Sequence, residues 1–368
     1  MTIPTQKTGR HDMMRPADPA ESAGREQRQG WGSERPSSDG RTPPPNAERR
    51  AIEQRVQAWG AANGSELRLT MIDDGKDIVD ATLKGLVQSR QDQPVGFVLC
   101  SQPAAPDLVE RGVRNAEAIR SMLGEKLGQA IVQPSDRGKI DGLSYVLLPW
   151  YQPLSSSRLR RVWQKFRLRR PVLDWLYEAT ATAAGRDVQP VGAIESFESV
   201  LMHLGRQSFL TSEQKTIVDR ALRRIDRELW RPRYVFDHND LWDGNILLTG
   251  SRSRRPGSRF PFVLIDWAGA NPIGYGVYDL VRLARALGLS SRTLRTELIR
   301  HASALQCNPT DLYGHFLAAC GRLHLHLENF PEERFVGMLD QCWRILSDAL
   351  PELQDPPETP DRDGAPVH

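Results

Sequence analysis

Apolar and polar positions along the chain divide it into three stretches. Residues 1–48 are rich in Pro, Ser, Gly, Arg, Asp and Glu and hold almost no aliphatic side chains. Such a segment buries too little apolar surface to offset its ordering entropy, so residues 1–50 are expected to be a disordered tail. Residues 351–368 read the same way. The folded body therefore runs from about Ala51 to Leu350. Within it, alternation over Glu66 to Ile72 predicts a strand, Asp73-Asp74-Gly75-Lys76 a turn, and Asp77 to Leu83 a returning strand. Gly96 to Cys100 is a short apolar third strand. Leu108, Val113, Ala116, Ile119 and Leu123 recur with helical period and predict a helix over Pro106 to Leu123. Ile131 to Pro134 and Leu143 to Leu148 read as a further strand pair around Asp136-Arg137-Gly138.

From residue 151 the helical period dominates. Arg158 to Arg170 holds seven basic residues and no acidic one, with Leu159, Val162, Trp163 and Phe166 on one helical face. The expectation is a helix packed on the core by that face, its basic face solvated. The competing expectation is contact with an anionic membrane or an acidic substrate. Ser212 to Leu229 reads as a helix, and three apolar runs follow: Tyr234 to Phe236, Ile246 to Leu248 and Phe262 to Ile265. Ser251 to Arg259 is a basic hairpin tip between the last two runs, and Arg292 to Leu350 is helical, with Trp343, Leu323, Leu325 and Leu327 expected in the core. This predicts an α+β fold of two lobes: a small antiparallel sheet with one helix over 51–150, and a larger, mostly helical lobe over 151–350.

Composition narrows the function classes. At 368 residues, 39% hydrophobic and 26% charged, the chain can bury the cores of two lobes. A net charge of +3 is too small to imply a nucleic-acid partner, and none is expected. Cys100, Cys307, Cys320 and Cys342 form no Cys-x-x-Cys pair, so neither structural zinc nor a disulfide framework is suggested. No apolar run reaches the length of a membrane span, and the first residues lack a hydrophobic signal core, so a cytoplasmic location is expected.

The chemistry concentrates in residues 234–267. The first apolar run delivers His238-Asn239-Asp240-Leu241-Trp242-Asp243-Gly244-Asn245, which feeds directly into the second run; the third ends on Asp266. Phosphoryl transfer needs a carboxylate to accept the hydroxyl proton and hard oxygen ligands to hold magnesium on the phosphates. Asp240 is the candidate base, and Asn245 and Asp266 are the candidate metal ligands. His238 is expected to hold the loop, Asp243 to be a solvated turn residue, and Gly244 to allow a backbone conformation other residues avoid.

This stretch resembles the aminoglycoside phosphotransferase and choline kinase branch of the protein-kinase-like fold, with His-x-Asp-x-x-x-x-Asn followed by Ile-Asp-Trp; the Asp-Leu-Trp wording resembles fructosamine kinases. The resemblance implies an ATP- and Mg2+-dependent transfer of the γ-phosphate to a hydroxyl of a small molecule, aminoglycoside-, choline- or sugar-like. It implies a hinge at Pro149-Trp150-Tyr151 that meets the adenine. Gly274 to Leu280 resembles the family's Gly-x-x-x-x-Asp-Leu ending, in which Asp279 would cap a helix running to Leu287 and brace the catalytic loop. It also implies a strand-three Lys paired with a helix Glu. Glu117 fits the Glu, but Cys100 stands where the Lys is expected. With-no-lysine kinases suggest that Lys76, in the turn after the first strand, supplies the missing charge, with Lys84 as its rival. The alternative is a catalytically impaired kinase-like protein that binds a nucleotide or a partner.

Overall fold

The computed structural model describes residues 46–62, 64, 66–73, 82–186, 195–249, 259–328 and 330–351. Lys76 and its turn, the basic tip at 251–258 and most of both expected tails lie outside the described residues. Helix α1 (Asn46–Ala62) begins inside the segment expected to be disordered. Ile52, Val56 and Trp59 recur at helical spacing along it, a signal obscured by the polar residues between them, and they cover one face of the sheet.

That sheet comprises β1 (Leu67–Asp73), β2 (Thr82–Ser89), β3 (Pro94–Ser101), β4 (Asp136–Ile140) and β5 (Leu143–Pro149), with α2 (Leu108–Gly128) between β3 and β4. It is antiparallel throughout, in the order β1-β2-β3-β5-β4. Strand, strand, strand, helix, strand, strand is the succession that the resemblance implied. Two strands differ from expectation. β2 lies further along the chain than Asp77 to Leu83. β4 is the polar segment Asp136–Ile140 rather than Ile131 to Pro134. An edge strand needs no apolar alternation when its partner β5 supplies the pairing, and β4 is largely exposed. Ile131 instead bridges to Leu264 in the other lobe, tying the two lobes together.

Register determines which side chains meet. Val98 and Cys100 of β3 point with Val87 and Tyr145 toward α1. Leu99 points the other way, into a cluster with Val109 and Val113 of α2 and Val263 beyond.

The second lobe holds α3 (Arg158–Ala184), α4 (Phe197–Gly205), α5 (Ser212–Asp226), β6 (Val235–Asp237), β7 (Ile246–Leu248), β8 (Phe262–Leu264), β9 (Asn271–Gly274), α6 (Tyr278–Leu287), α7 (Ser291–Leu305), α8 (Asp311–Leu325) and α9 (Glu332–Ala349). α5 starts on a capping box: the Thr211 hydroxyl accepts from Gln214 N–H while the Gln214 amide accepts from Thr211 N–H. Trp175 of α3 lies at the heart of the core, edge-on to Phe236 and Phe262, and donates its indole N–H to the Leu127 carbonyl that ends α2. Trp343 is buried as expected; Leu325 is exposed. No helix among the described residues is long and apolar enough to cross a membrane.

Candidate active site

Two short antiparallel pairs, β6 with β9 and β7 with β8, hold the polar loop between them. Ile246 pairs with Leu264, and one step further the Ile265 N–H donates to the Asn245 carbonyl at 3.1 Å. The residue after Ile265 is Asp266, so the pairing brings the end of β8 beside Asn245. Asp266 and Asn239 both adopt left-handed backbone, φ 63° and 67°, which Asp and Asn tolerate better than most residues. His238 pins the loop from inside. It is fully buried, its Nε2–H donates to the Ile265 carbonyl at 3.0 Å, and its backbone N–H donates to Asp279 at 2.6 Å. Burial holds the ring neutral by lowering its pKa to about 4. The geometry agrees with a holding role for His238.

Asn245 donates its amide N–H twice to Asp240, to the carbonyl at 2.8 Å and to Oδ2 at 2.9 Å. The amide oxygen is then the atom that can face a cation. The other carboxylate oxygen of Asp240 accepts from Arg282 of α6 at 2.8 Å. Burial of the loop raises the Asp240 pKa above its ordinary value; Arg282, Asn245 and Trp242 pull it down without cancelling the rise. Its side chain remains about half exposed, at 48%. Arg282 went unnoticed in the sequence, although an Arg three residues after Asp279 on an otherwise apolar helix face was the available signal.

Behind the loop stand two buried carboxylates. Asp237 accepts from the N–H groups of Tyr275 and Gly276 at 2.8 and 3.0 Å. Gly274 lets it approach: a Cβ there would fall 1.9 Å from Asp237 Oδ2. Burial raises the pKa of Asp237 to about 6 and that of Asp279 to about 7, the charge of Asp237 adding to the latter. Asp279 braces the loop as expected. It does not cap α6, because it lies within the first turn and Val277 occupies the cap position.

Two expectations for the loop are corrected. Asp243 is buried, not solvated: Arg161 and Lys165 of α3 each reach its Oδ2 at 2.7 Å. Burial pushes its carboxyl up, but the two cations outweigh that and hold it below its ordinary value. The inward basic residues of α3 thus fasten the polar loop. Gly244 does not adopt left-handed backbone; the Trp242 indole lies against it, and a Cβ would sit 2.5 Å from that ring.

The sheet side departs further. Cys100 is packed toward α1, so it does not occupy the inward position of a strand-three Lys. The inward residue is Leu99, and its cross-strand partner is Lys84 on β2. Directly opposed residues of antiparallel strands point to the same face, so Lys84 lies on the Leu99 side of the sheet, directly beside it on the neighbouring strand. Glu117 is turned elsewhere: it pairs with Arg137 of β4 at 2.7 Å, across β5 from β3. On α2, Asn115 faces the segment after β8 and donates to the carbonyls of Trp267 and Ala270 at 3.2 and 2.7 Å. At the hinge, Pro149 has no N–H and Trp150 donates its backbone N–H to Val95, so neither offers a backbone donor to an adenine there. Tyr151 is buried in the Leu99 cluster.

The donor set fits magnesium: one carboxylate and one amide oxygen, the few protein ligands that this ion takes when phosphates and water complete its shell. Among the described residues no group of three or more His, Cys, Asp or Glu could hold a metal by itself.

A small antiparallel sheet is thus joined to a helical lobe, with an Asp–Asn loop and an Asp-ended strand at their junction. Solved structures similar to this chain include aminoglycoside phosphotransferases and choline kinases. One is a thermostable mutant of aminoglycoside phosphotransferase APH(4)-Ia in a ternary complex with ADP and hygromycin B, at 12% identity over 82% of this chain and 99% of that one, TM-score 0.49. Another is choline kinase LicA from Streptococcus pneumoniae, at 12% identity over 80% and 99%, TM-score 0.41. A choline/ethanolamine kinase family protein from Mesorhizobium loti matches at 13% identity over 82% and 98%, TM-score 0.43. No protein-family model and no curated protein matches the chain. At these identities the likeness concerns fold alone.

Proposed function

We propose that the chain is a phosphotransferase that moves the γ-phosphoryl group of ATP to a hydroxyl of a small molecule. The observation that carries this is the grouping of Asp240, Asn245 and Asp266 on one edge: Asn245 locks Asp240, and the backbone bond from Ile265 to Asn245 sets Asp266 beside them. Asp240 orients the acceptor hydroxyl and takes its proton. Asn245 and Asp266 present the oxygen ligands for Mg2+, which when bound neutralises charge on the transferring group. His238, Asp237 and Asp279 keep the loop in shape, and Arg282 positions the Asp240 carboxylate. Lys84 is the residue we assign to the inner phosphates, a role the sequence reading favoured for Lys76; Lys76 lies outside the described residues.

A second reading is favoured by one observation: the inward residue of β3 is Leu99, which carries no charge. On that reading the chain binds nucleotide without turnover. The deciding experiment screens hydroxyl acceptors, among them aminoglycosides, choline and simple sugars, with ATP and Mg2+. Phosphorylated product, lost at least about 100-fold in Asp240→Ala, supports the phosphotransferase. ATP binding with no product from any acceptor supports the second reading.

A further inference from the structure

The basic helix is the feature that the catalytic reading absorbs only in part. Its inward cations are occupied: Arg161 and Lys165 hold Asp243, and Arg169 donates to the carbonyls of Leu287 and Gly288 that end α6. The outward face is unexpected. Leu159, Val162, Trp163 and Phe166, which the sequence placed against the core, are exposed by 84, 60, 55 and 66%. The residues that face the core are Gln164, Leu168 and Val172 instead. Four of the eleven large apolar side chains exposed among the described residues thus fall within eight positions of one helix. At about 100° per residue they span an arc of about 100°. Arg160 and Arg167 border that strip on one side and Arg158 on the other, and none of the three forms an ion pair within the described residues. Arg167 lies over the Trp163 ring at 4.7 Å.

We infer that this face docks the protein on an anionic lipid bilayer. A strip of Trp, Phe, Leu and Val flanked by arginines on an amphipathic helix matches the boundary between acyl chains and anionic headgroups. Scattered exposed apolar residues need no explanation, but a contiguous group does. Charge complementarity selects the partner. A second copy of the chain set face to face would oppose arginines with arginines, whereas an anionic surface neutralises them. The inward side of the same helix grips the catalytic loop through Asp243, so docking would hold that loop at a set height over the membrane.

The test is co-sedimentation of the full chain with vesicles rich in phosphatidylglycerol, against pure phosphatidylcholine, without nucleotide or acceptor. It can therefore fail while phosphotransfer stands. Each arginine near an anionic surface is worth roughly fivefold, so the three predict roughly a hundredfold preference for the anionic vesicles, weakening as salt rises. The double variant Trp163→Ser/Phe166→Ser should lose at least about tenfold in partitioning. The triple variant Arg158→Gln/Arg160→Gln/Arg167→Gln should lose the anionic preference. Both should keep the wild-type thermal midpoint and nucleotide affinity, since the altered side chains point to solvent. Absence of binding at low salt, binding unchanged in both variants, or a lipid-independent dimer abolished by the double variant would each overturn the inference.

Discussion

Arg282→Gln isolates the cation that, among the described residues, contacts the candidate base. The guanidinium donates to Asp240 Oδ1 at 2.8 Å, and its own side chain is only 18% exposed. With charge centres about 4 Å apart, an effective dielectric of 20 gives an attraction of about 4 kcal/mol, equivalent to about three pK units. Asp240 is about half exposed, so solvent screening brings the working value toward the low end of the observed range, about one unit. Gln keeps a donor of similar reach and removes the charge. The Asp240 carboxyl already lies above its ordinary 3.8 because burial outweighs its partners. Losing Arg282 should raise it by about one unit more. A base must be ionised to work, so activity falls as pH drops through this pKa. The acid limb of kcat/KM should therefore move up by about one unit in Arg282→Gln, and return toward wild type in Arg282→Lys. Carbon NMR of the aspartate carboxyls, assigned with Asp240→Asn, reads the same titration without needing an acceptor. If Asp240 titrates alike in wild type, Gln and Lys variants, the ion pair does not tune the base and the positioning role of Arg282 is wrong.

Three further outcomes are expected. Lys84→Ala should weaken ATP binding about tenfold or more by calorimetry and weaken AMP binding less, since AMP lacks the β-phosphate of the inner α/β pair assigned to this residue; a larger loss in Lys76→Ala would return the role to the turn. Gly244→Ala, which brings a Cβ against the Trp242 indole, should lower turnover about tenfold or more with the global fold retained, readable as a change in Trp242 fluorescence; unchanged turnover and spectrum would show that the ring simply swings aside. His301 is buried, its pKa lowered to about 3 by that burial and by Arg300, so its contribution to stability is present above about 6.5 and lost as pH falls toward 3. Urea unfolding of His301→Leu should therefore lack about 2 kcal/mol of the wild-type decline between pH 7 and pH 5; parallel declines would mean the ring finds a proton-stabilising partner.

Local pattern was enough for the α+β class, the strand and helix order of the small lobe, and the contact between Asp240 and Asn245. A loop that leaves one strand and enters the next places its own residues side by side without help from distant chain. His238 was legible as a holding residue, but its partners, the Ile265 carbonyl and Asp279, lie 27 and 41 residues away. Facing was not legible. Side chains of a strand alternate, so a shift of one residue turns Cys100 from the α2 side to the α1 side and makes Leu99 and Lys84 the pair on the α2 side. Only the register with β2 and β5 decides that. Distance in sequence hid the rest. Arg282 meets Asp240 across 42 residues, and Arg161 meets Asp243 across 82. A polar stretch became β4 because β5 was there to pair with it. The apolar stripe of α3 shows the limit most plainly. Its period announced an amphipathic helix, but which side turns inward depended on Arg161, Lys165 and Arg169 finding partners on the catalytic loop and α6, and that left the apolar side facing out.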